Sequence, residues 1–244
     1  CAHGRGLSDM ILRPFSLGLD RFADTTYFFS QRLGLDVVVP APIADVESLL
    51  LVGDGTPDNY VLCILAHHLD GRKVVGFAKH EELRHLAVLN DIRTYVEASE
   101  KLVNLLLLVD RESCQLDALT EDILRRLRES GVGYGEVRDE GHIKEAILFK
   151  GEHEVRLIVV ISDMGREDII RHSIEEHLLL AAEDILGTDY IINIIGRAGG
   201  DAKGAWNSLG KEEQHRVFRY LIARPDAAER VFPQHLEALR KLDD

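Results

Sequence analysis

Two pairs of acidic residues follow apolar runs of the sequence, and their oxygen atoms are suited to binding a hard cation. Asp54 and Asp58 follow the first run, and Asp110 and Glu112 follow the second. Each run is typical of a central parallel strand that is buried on both faces. Because the carboxyl ends of parallel strands open onto one crevice, we expect these carboxylates to lie close together. Carboxylate oxygens are the ligands that Mg2+ or Mn2+ prefers, so the sequence predicts a metal site at this crevice.

Each pair also has an ordinary structural explanation. Gly55 permits a sharp turn from strand to helix, and the helix dipole favours a carboxylate such as Asp58 in the first helical turn. Asp110 and Glu112 are equally compatible with a solvated loop after a buried strand. If the backbone stays extended there, residues two apart project to the same side, as two ligands of one cation must. From the residues alone, both explanations stay open.

Strand and helix patterns alternate along the middle of the chain. Strands are predicted at residues 46–52, 73–77 and 103–109, and helices at residues 56–68, 80–101 and 116–129. This alternation predicts an α/β fold with a mostly parallel, Rossmann-like sheet that helices flank.

The remaining segments extend this sheet and add helices. Residues 146–149 and 155–161 predict an antiparallel edge hairpin, residues 36–39 and 190–195 favour strands, and helices are predicted at 19–33, 173–186, 211–223 and 225–242. We divide the chain into an N-terminal extension (1–44), an α/β domain (45–195) and a C-terminal helical segment (196–244).

The acidic motifs resemble those of the Toprim domain family. In that family a strand leads into Glu-Gly-x-x-Asp and a helix, and a strand about fifty residues later leads into Asp-x-Asp. Asp54, Gly55 and Asp58 match the first motif, and Asp110 and Glu112 match the second. The resemblance covers roughly residues 47–186 and is to Toprim proteins of the small stand-alone or OLD-nuclease type, with degenerate motifs.

A later acidic segment extends the resemblance. Asp163 follows a predicted strand, and Glu175 and Glu176 lie in the next predicted helix, as in small stand-alone Toprim-like proteins. The resemblance implies a Toprim-like fold and Mg2+-dependent phosphoryl transfer on a nucleic-acid phosphodiester. It also implies that Asp54 acts as the general acid/base, while Asp110, Glu112 and Asp58 hold the metal.

Two departures from the Toprim pattern support a second hypothesis. Asp54 is shorter by one methylene than the family's Glu, and Asp110-Arg111-Glu112 is a non-standard form of the second motif. The alternative is a catalytically silent module that binds nucleotide, nucleic acid or protein through the same crevice.

A third hypothesis comes from a second resemblance. The segment from Gly53 to Asp58 is similar to the Gly-Asp-Gly-x-x-Asp metal motif of haloacid-dehalogenase-like phosphatases. That family also needs an upstream strand that ends in Asp-x-Asp, with the first Asp as nucleophile. No such strand end precedes Asp54, and Asp110 lies downstream of it, in the wrong order.

Composition limits the remaining possibilities. The 244-residue chain has a formal net charge of -13 and a pI near 5.3, which argues against a surface that is basic throughout and leaves only a local nucleic-acid contact possible. Its three cysteines form no Cys-x-x-Cys pair, so we expect a reduced, cytoplasmic compartment. No apolar run reaches the length of a membrane span, and no membrane partner is expected. The sequence does not indicate an oligomeric state.

The histidines and the single tryptophan do not point to a site. None of the eleven histidines is assigned as a metal ligand, and His172 and His177 are spaced so that they do not share a helical face. Trp206 is predicted to be a packing residue. Four arginines in the C-terminal segment alternate with acids, which predicts a solvated helix face: Arg216, Arg219, Arg224 and Arg230.

Overall fold

The computed structural model describes residues 9–15, 20–52, 56–69, 74–80 and 82–242. The first part of the chain forms β1 (Ile11–Pro14), α1 (Asp20–Leu33), β2 (Ser48–Leu51), α2 (Thr56–His67), β3 (Val74–Ala78), a 3-10 helix (His85–Asp91), α3 (Ile92–Ala98), β4 (Asn104–Asp110) and α4 (Leu116–Ser130). The second part forms β5 (Gly133–Tyr134), β6 (Arg138–Glu140), β7 (Ile143–Lys150), β8 (His153–Ser162), α5 (Ile174–Leu186), α6 (Thr188–Arg197), α7 (Ala202–Asn207), α8 (Lys211–Ala223), α9 (Pro225–Val231) and α10 (Pro233–Arg240).

The strands form one mixed sheet in the order β1-β3-β2-β4-β8-β7-β5, and β6 also pairs with β7. The pairs from β1 to β8 along this order are parallel, whereas β7 is antiparallel to β8. The predicted α/β class, with a mostly parallel sheet and an antiparallel hairpin, is therefore confirmed. The two acid-bearing strands are parallel neighbours, as predicted, and Leu51 pairs with Leu107.

The central position of β4 follows from its apolar sequence. Leu106 and Leu108 pack into the core beneath α1, α2 and α5 to α10, whereas Leu105 and Leu107 pack beneath the 3-10 helix, α3 and α4. Burying one such side chain contributes about 1.5–3 kcal/mol to stability. With both faces covered, only the strand end is left for polar residues.

Several predicted elements are confirmed. Helix α1 ends before Gly34, which has a φ of 73°, and α4 ends at Gly131, which has a φ of 71°. Glycine adopts this left-handed conformation without steric cost, so it terminates a helix readily. Trp206 is buried and packs near Phe218, as expected of a packing residue.

The strand predicted at residues 190–195 is wrong, because this segment lies in α6. Ile191, Ile194 and Ile195 are buried at helical spacing, whereas Ile192 is 47% exposed. A short apolar run fits either a strand or a buried helix, and here the period of 3.6 residues was the correct one.

Two long helices were predicted where the structure has shorter elements. In place of the helix predicted at 80–101, residues 85–98 form the 3-10 helix and α3, and the predicted helix 225–242 is divided between α9 and α10. Pro233 explains the second division, because proline disfavours helical geometry at the preceding residue and Phe232 has a φ of -123°.

The N-terminal segment contains a strand that the sequence did not reveal. β1 pairs with β3 as an edge strand, and the strand predicted at residues 36–39 is only an isolated bridge between Val38 and Leu12.

The predicted segment boundaries at residues 44 and 195 stay predictions. Among the described residues, no helix combines the length and the apolar character that a membrane crossing requires.

Candidate functional site

The carboxyl ends of adjacent parallel strands bring acidic residues to one edge of the sheet. Asp110 is the last residue of β4 and pairs with Ser162, the last residue of β8. Asp163 follows directly, so two carboxyl groups stand at neighbouring strand ends. Asp58 lies in the first turn of α2, which comes after β2 on the other side of β4.

Asp110 is mostly buried and surrounded by other acids. Burial raises its pKa well above the ordinary value, and the charges of Asp58, Glu175 and Glu112 raise it further. The backbone N–H of Ile174 donates to Oδ1 at 2.9 Å and opposes this effect. In the described part of the chain this is the only hydrogen bond to the carboxyl group, and it reaches Oδ1 alone.

Glu112 approaches Asp110 through an unusual backbone conformation. Glu112 has a φ of 57° and His85 has a φ of 50°, and they are the only described non-glycine residues with positive φ. The condition of an extended backbone at Glu112 is therefore not met, although the carboxylates of Asp110 and Glu112 still converge. Left-handed geometry costs non-glycine residues on the order of 1–2 kcal/mol, and such strain is concentrated at functional sites.

Neighbouring elements hold Glu112 in this position. Its N–H donates to the carbonyl of His172 at 2.8 Å, and the N–H of His172 donates back to the Glu112 carbonyl at 2.9 Å. Arg171 binds Oε2 of Glu112, which leaves Oε1 facing Nε2 of His85 at 3.6 Å. His85, Asp110 and Glu112 each place one ligand atom within 4.8 Å of the others, and we call these three residues the His85 set.

A second group, made of Asp163, His172 and Glu176, lies beside the first and is buried. Nδ1 of His172 lies 3.0 Å from Oδ1 of Asp163 and 2.8 Å from Oε2 of Glu176. Arg111 donates to Oδ2 of Asp163 at 2.7 Å, and the backbone N–H of Gly165 donates to Oδ1, also at 2.7 Å. We call these three residues the His172 set.

The partners of Asp163 outweigh its burial. Burial by itself raises the pKa of this carboxyl, but the hydrogen bonds from His142, Gly165 and Arg111 and the charge of His172 bring the pKa well below its ordinary value. Asp163 is thus a stably ionised acid whose oxygens are already occupied by donors. The His172 set is explained by its own hydrogen bonds, without a cation.

The His85 set fits a divalent cation better. Two ligand atoms on opposite sides of an ion, each about 2.1 Å from it, lie about 4.2 Å apart. The ligand atoms of the His85 set lie within 4.8 Å of one another, so small side-chain movements would bring them to these distances. Ser173 precedes Ile174, whose N–H donates to Asp110, and the buried hydroxyl of Ser173 has no hydrogen-bond partner among the described residues. The acidic charges around Asp110 suit a bound cation.

The predicted site residues fall into three classes. Asp54 and Gly55 lie outside the described residues, so the predicted catalytic residue stays a prediction. Asp110 and Glu112 come together. Asp58 and Glu175 lie near enough for their charges to raise the pKa of Asp110. The other two predicted acids belong to the His172 set: Asp163 and Glu176.

Three histidines lie next to these acids, and none of them was assigned to the site from the sequence: His85, His142 and His172. His172 lies four residues before Glu176 and contacts it, a spacing that could have drawn attention to this pair. His85 has no comparable signal, because only the fold of the segment after β3 brings it to Glu112. His177 lies in α5, whereas His172 precedes that helix, and Nδ1 of His177 bonds to the carbonyl of Val231.

Comparisons with known proteins give no further guide to this site, since no family model, curated protein or solved structure matches the chain.

Proposed function

We propose that the chain is a Mg2+- or Mn2+-dependent enzyme that catalyses phosphoryl transfer on a nucleic-acid phosphodiester. The observation that carries this proposal is the environment of Asp110, a mostly buried carboxyl group among the charges of Asp58, Glu112 and Glu175. Carboxylates at such close range repel one another, and a divalent cation would relieve that repulsion.

Each residue has a distinct role in this proposal. Asp110 and Glu112 bind the cation directly, and Asp58 binds it directly or through water. A cation held by these residues would neutralise charge on the phosphate and lower the pKa of a bound water molecule. Asp54 acts as the general acid/base, a role that rests on the resemblance to Toprim domains.

Arg171 is suited to binding a substrate phosphate. Its guanidinium group contacts Glu112 and is 58% exposed, so it is accessible beside the proposed cation. Arginine binds phosphate oxygens in a bidentate geometry. Because the net charge is -13, contacts to a nucleic acid must be local and phosphate-directed.

A cleavage assay with a matched pair of variants tests the proposal. Supercoiled DNA, linear DNA and single-stranded RNA are incubated with the protein in EDTA, Mg2+ or Mn2+. We expect cleavage that needs a divalent cation and falls by at least about a hundredfold in Asp110→Asn, since a metal ligand is lost. Asp117→Asn, the same change at an exposed position in α4, should keep full activity.

The ion pair between Arg171 and Glu112 favours a second candidate function. An arginine already neutralises one proposed ligand, as expected of a catalytically silent module that binds phosphate groups. That function predicts no cleavage by the wild type with either metal. It also predicts nucleotide or nucleic-acid binding in EDTA that weakens in Arg171→Ala.

A further inference from the structure

His85 is placed so that its imidazole faces the acidic cluster directly. The side chain is 43% exposed, and its Nε2 atom lies 3.6 Å from Oε1 of Glu112. This distance exceeds that of a normal hydrogen bond, so the two atoms face each other without being bonded. The backbone that positions His85 has a positive φ, and so does the backbone that positions Glu112.

The separation of these two atoms suits adjacent ligands of one ion. Two ligands about 2.1 Å from a shared cation lie about 3.0–3.4 Å apart in octahedral or tetrahedral geometry. The distance of 3.6 Å between His85 and Glu112 is slightly longer, and a small side-chain rotation closes the difference. Asp110 completes the three-residue set from the end of β4.

A nitrogen ligand changes which cation the site prefers. Mg2+ is bound almost entirely through oxygen atoms and gives up its waters reluctantly, whereas imidazole suits first-row transition metals. Mn2+ accepts carboxylate oxygens and also binds nitrogen. We propose that His85 ligates the cation through Nε2 and makes the site selective for Mn2+ over Mg2+, an inference that rests on the proposed metal site.

Direct metal binding tests this inference without an activity assay. Titration of the wild-type protein with Mn2+ and with Mg2+ should show tighter Mn2+ binding by at least about tenfold. In His85→Asn the Mn2+ affinity should fall by about tenfold or more, whereas the Mg2+ affinity should change by less than about threefold. Asparagine tolerates the positive φ, so the backbone of the variant is not strained further.

Electron spin-echo spectroscopy of bound Mn2+ provides a second measurement. The wild type should show coupling of the electron spin to a ligand nitrogen, and His85→Asn should lose it. His142→Asn is the matched control, because His142 is 37% exposed and lies 3.3 Å from Asp163 in the neighbouring His172 set. This control should keep both the nitrogen coupling and the Mn2+ affinity.

The outcomes separate this inference from the proposed function. If Asp110→Asn loses both metals while His85→Asn keeps the Mn2+ affinity and the nitrogen coupling, His85 is not a ligand, but the metal site stands. Equal affinity of the wild type for Mg2+ and Mn2+ also overturns the selectivity. If the wild type binds neither metal, the inference fails together with the proposed function.

Discussion

Asp110 is the last residue of β4, Asp163 directly follows the neighbouring parallel strand β8, and their environments shift the pKa values of the two carboxyl groups in opposite directions. Burial and the charges of nearby acids raise the pKa of Asp110, whereas hydrogen-bond donors from His142, Gly165 and Arg111 lower that of Asp163. One strand end therefore has an excess of negative charge that a cation can neutralise. At the end of β8, the hydrogen-bond donors around Asp163 already balance its negative charge.

Replacing Asp110 should stabilise the metal-free protein at neutral pH. An unfolded Asp titrates near pH 3.9, and the native group retains its proton to a higher pH, so ionisation of Asp110 costs native-state stability above that range. In EDTA at pH 7, Asp110→Asn should raise the melting temperature by about 2–4 °C for each kcal/mol of repulsion removed. Asn keeps the acceptor for the N–H of Ile174. A lower melting temperature in EDTA would contradict the raised pKa.

The same substitution at Asp163 should have the opposite effect. Asp163→Asn leaves Arg111 without its charged partner and removes one of the two carboxylates that face His172, in a buried setting where such a loss typically costs about 3 kcal/mol. Urea unfolding at pH 7 measures the loss, and Asp110→Asn serves as the control for the Asp-to-Asn change itself. If the two variants have equal stability, the distinction between the two strand ends is wrong.

Divalent cations should stabilise the wild-type protein through the acidic cluster. With a dissociation constant near 1 mM, a 10 mM concentration of Mn2+ contributes about 1.4 kcal/mol, or a melting-temperature rise of about 3–5 °C. Asp110→Asn should abolish this rise, and Asp117→Asn should retain it. If Mn2+ leaves the melting temperature of the wild type unchanged, the proposed metal site is ruled out as part of the function.

The central sheet was predictable because its strands are continuous apolar runs of the kind that only a buried position explains. β2 and β4 were identified in this way, and Asp110 and Glu112 followed from the ends of parallel strands. β1 was missed because its partner strand β3 lies far along the chain. The sequence pattern of one segment does not identify a distant partner.

Of the residues at the site, only the acidic ones were predictable from the sequence. The turn that brings Glu112 to His85 depends on two non-glycine residues in left-handed geometry, which residue preferences argue against. The role of Asp163 as a paired acid depends on Arg111 and His172, which come from separate segments of the chain. Local spacing therefore identified the acids of the cluster, and tertiary contacts decided which of them already have donors as partners.

The pH dependence of stability should report on two buried histidines that attach the C-terminal helices. Nδ1 of His177 donates to the carbonyl of Val231 at 2.6 Å, and Nε2 of His235 lies 3.0 Å from the hydroxyl of Ser162. Burial lowers the pKa of His177 to about 4 and lowers the pKa of His235 well below its ordinary value. Both side chains are therefore neutral in the native protein at neutral pH.

The sign of the effect follows from proton binding. Unfolded histidine binds a proton near pH 6.5, whereas native His177 stays neutral until about pH 4, so the unfolded state binds more protons between these values. Stability should fall as the pH decreases through this window, by on the order of 3 kcal/mol for His177 alone. Urea unfolding at a series of pH values between 7 and 4 measures the slope.

A substitution at His177 should reduce this slope. His177→Gln removes the titrating group, and at pH 7 it is expected to cost some stability because the hydrogen bond to Val231 is altered. Below pH 6.5 its stability should decrease less steeply than that of the wild type. His153→Gln, at an exposed position in β8, is the matched control and should leave the wild-type slope unchanged. An unchanged slope in His177→Gln would mean that His177 does not stay neutral while the unfolded state gains its proton.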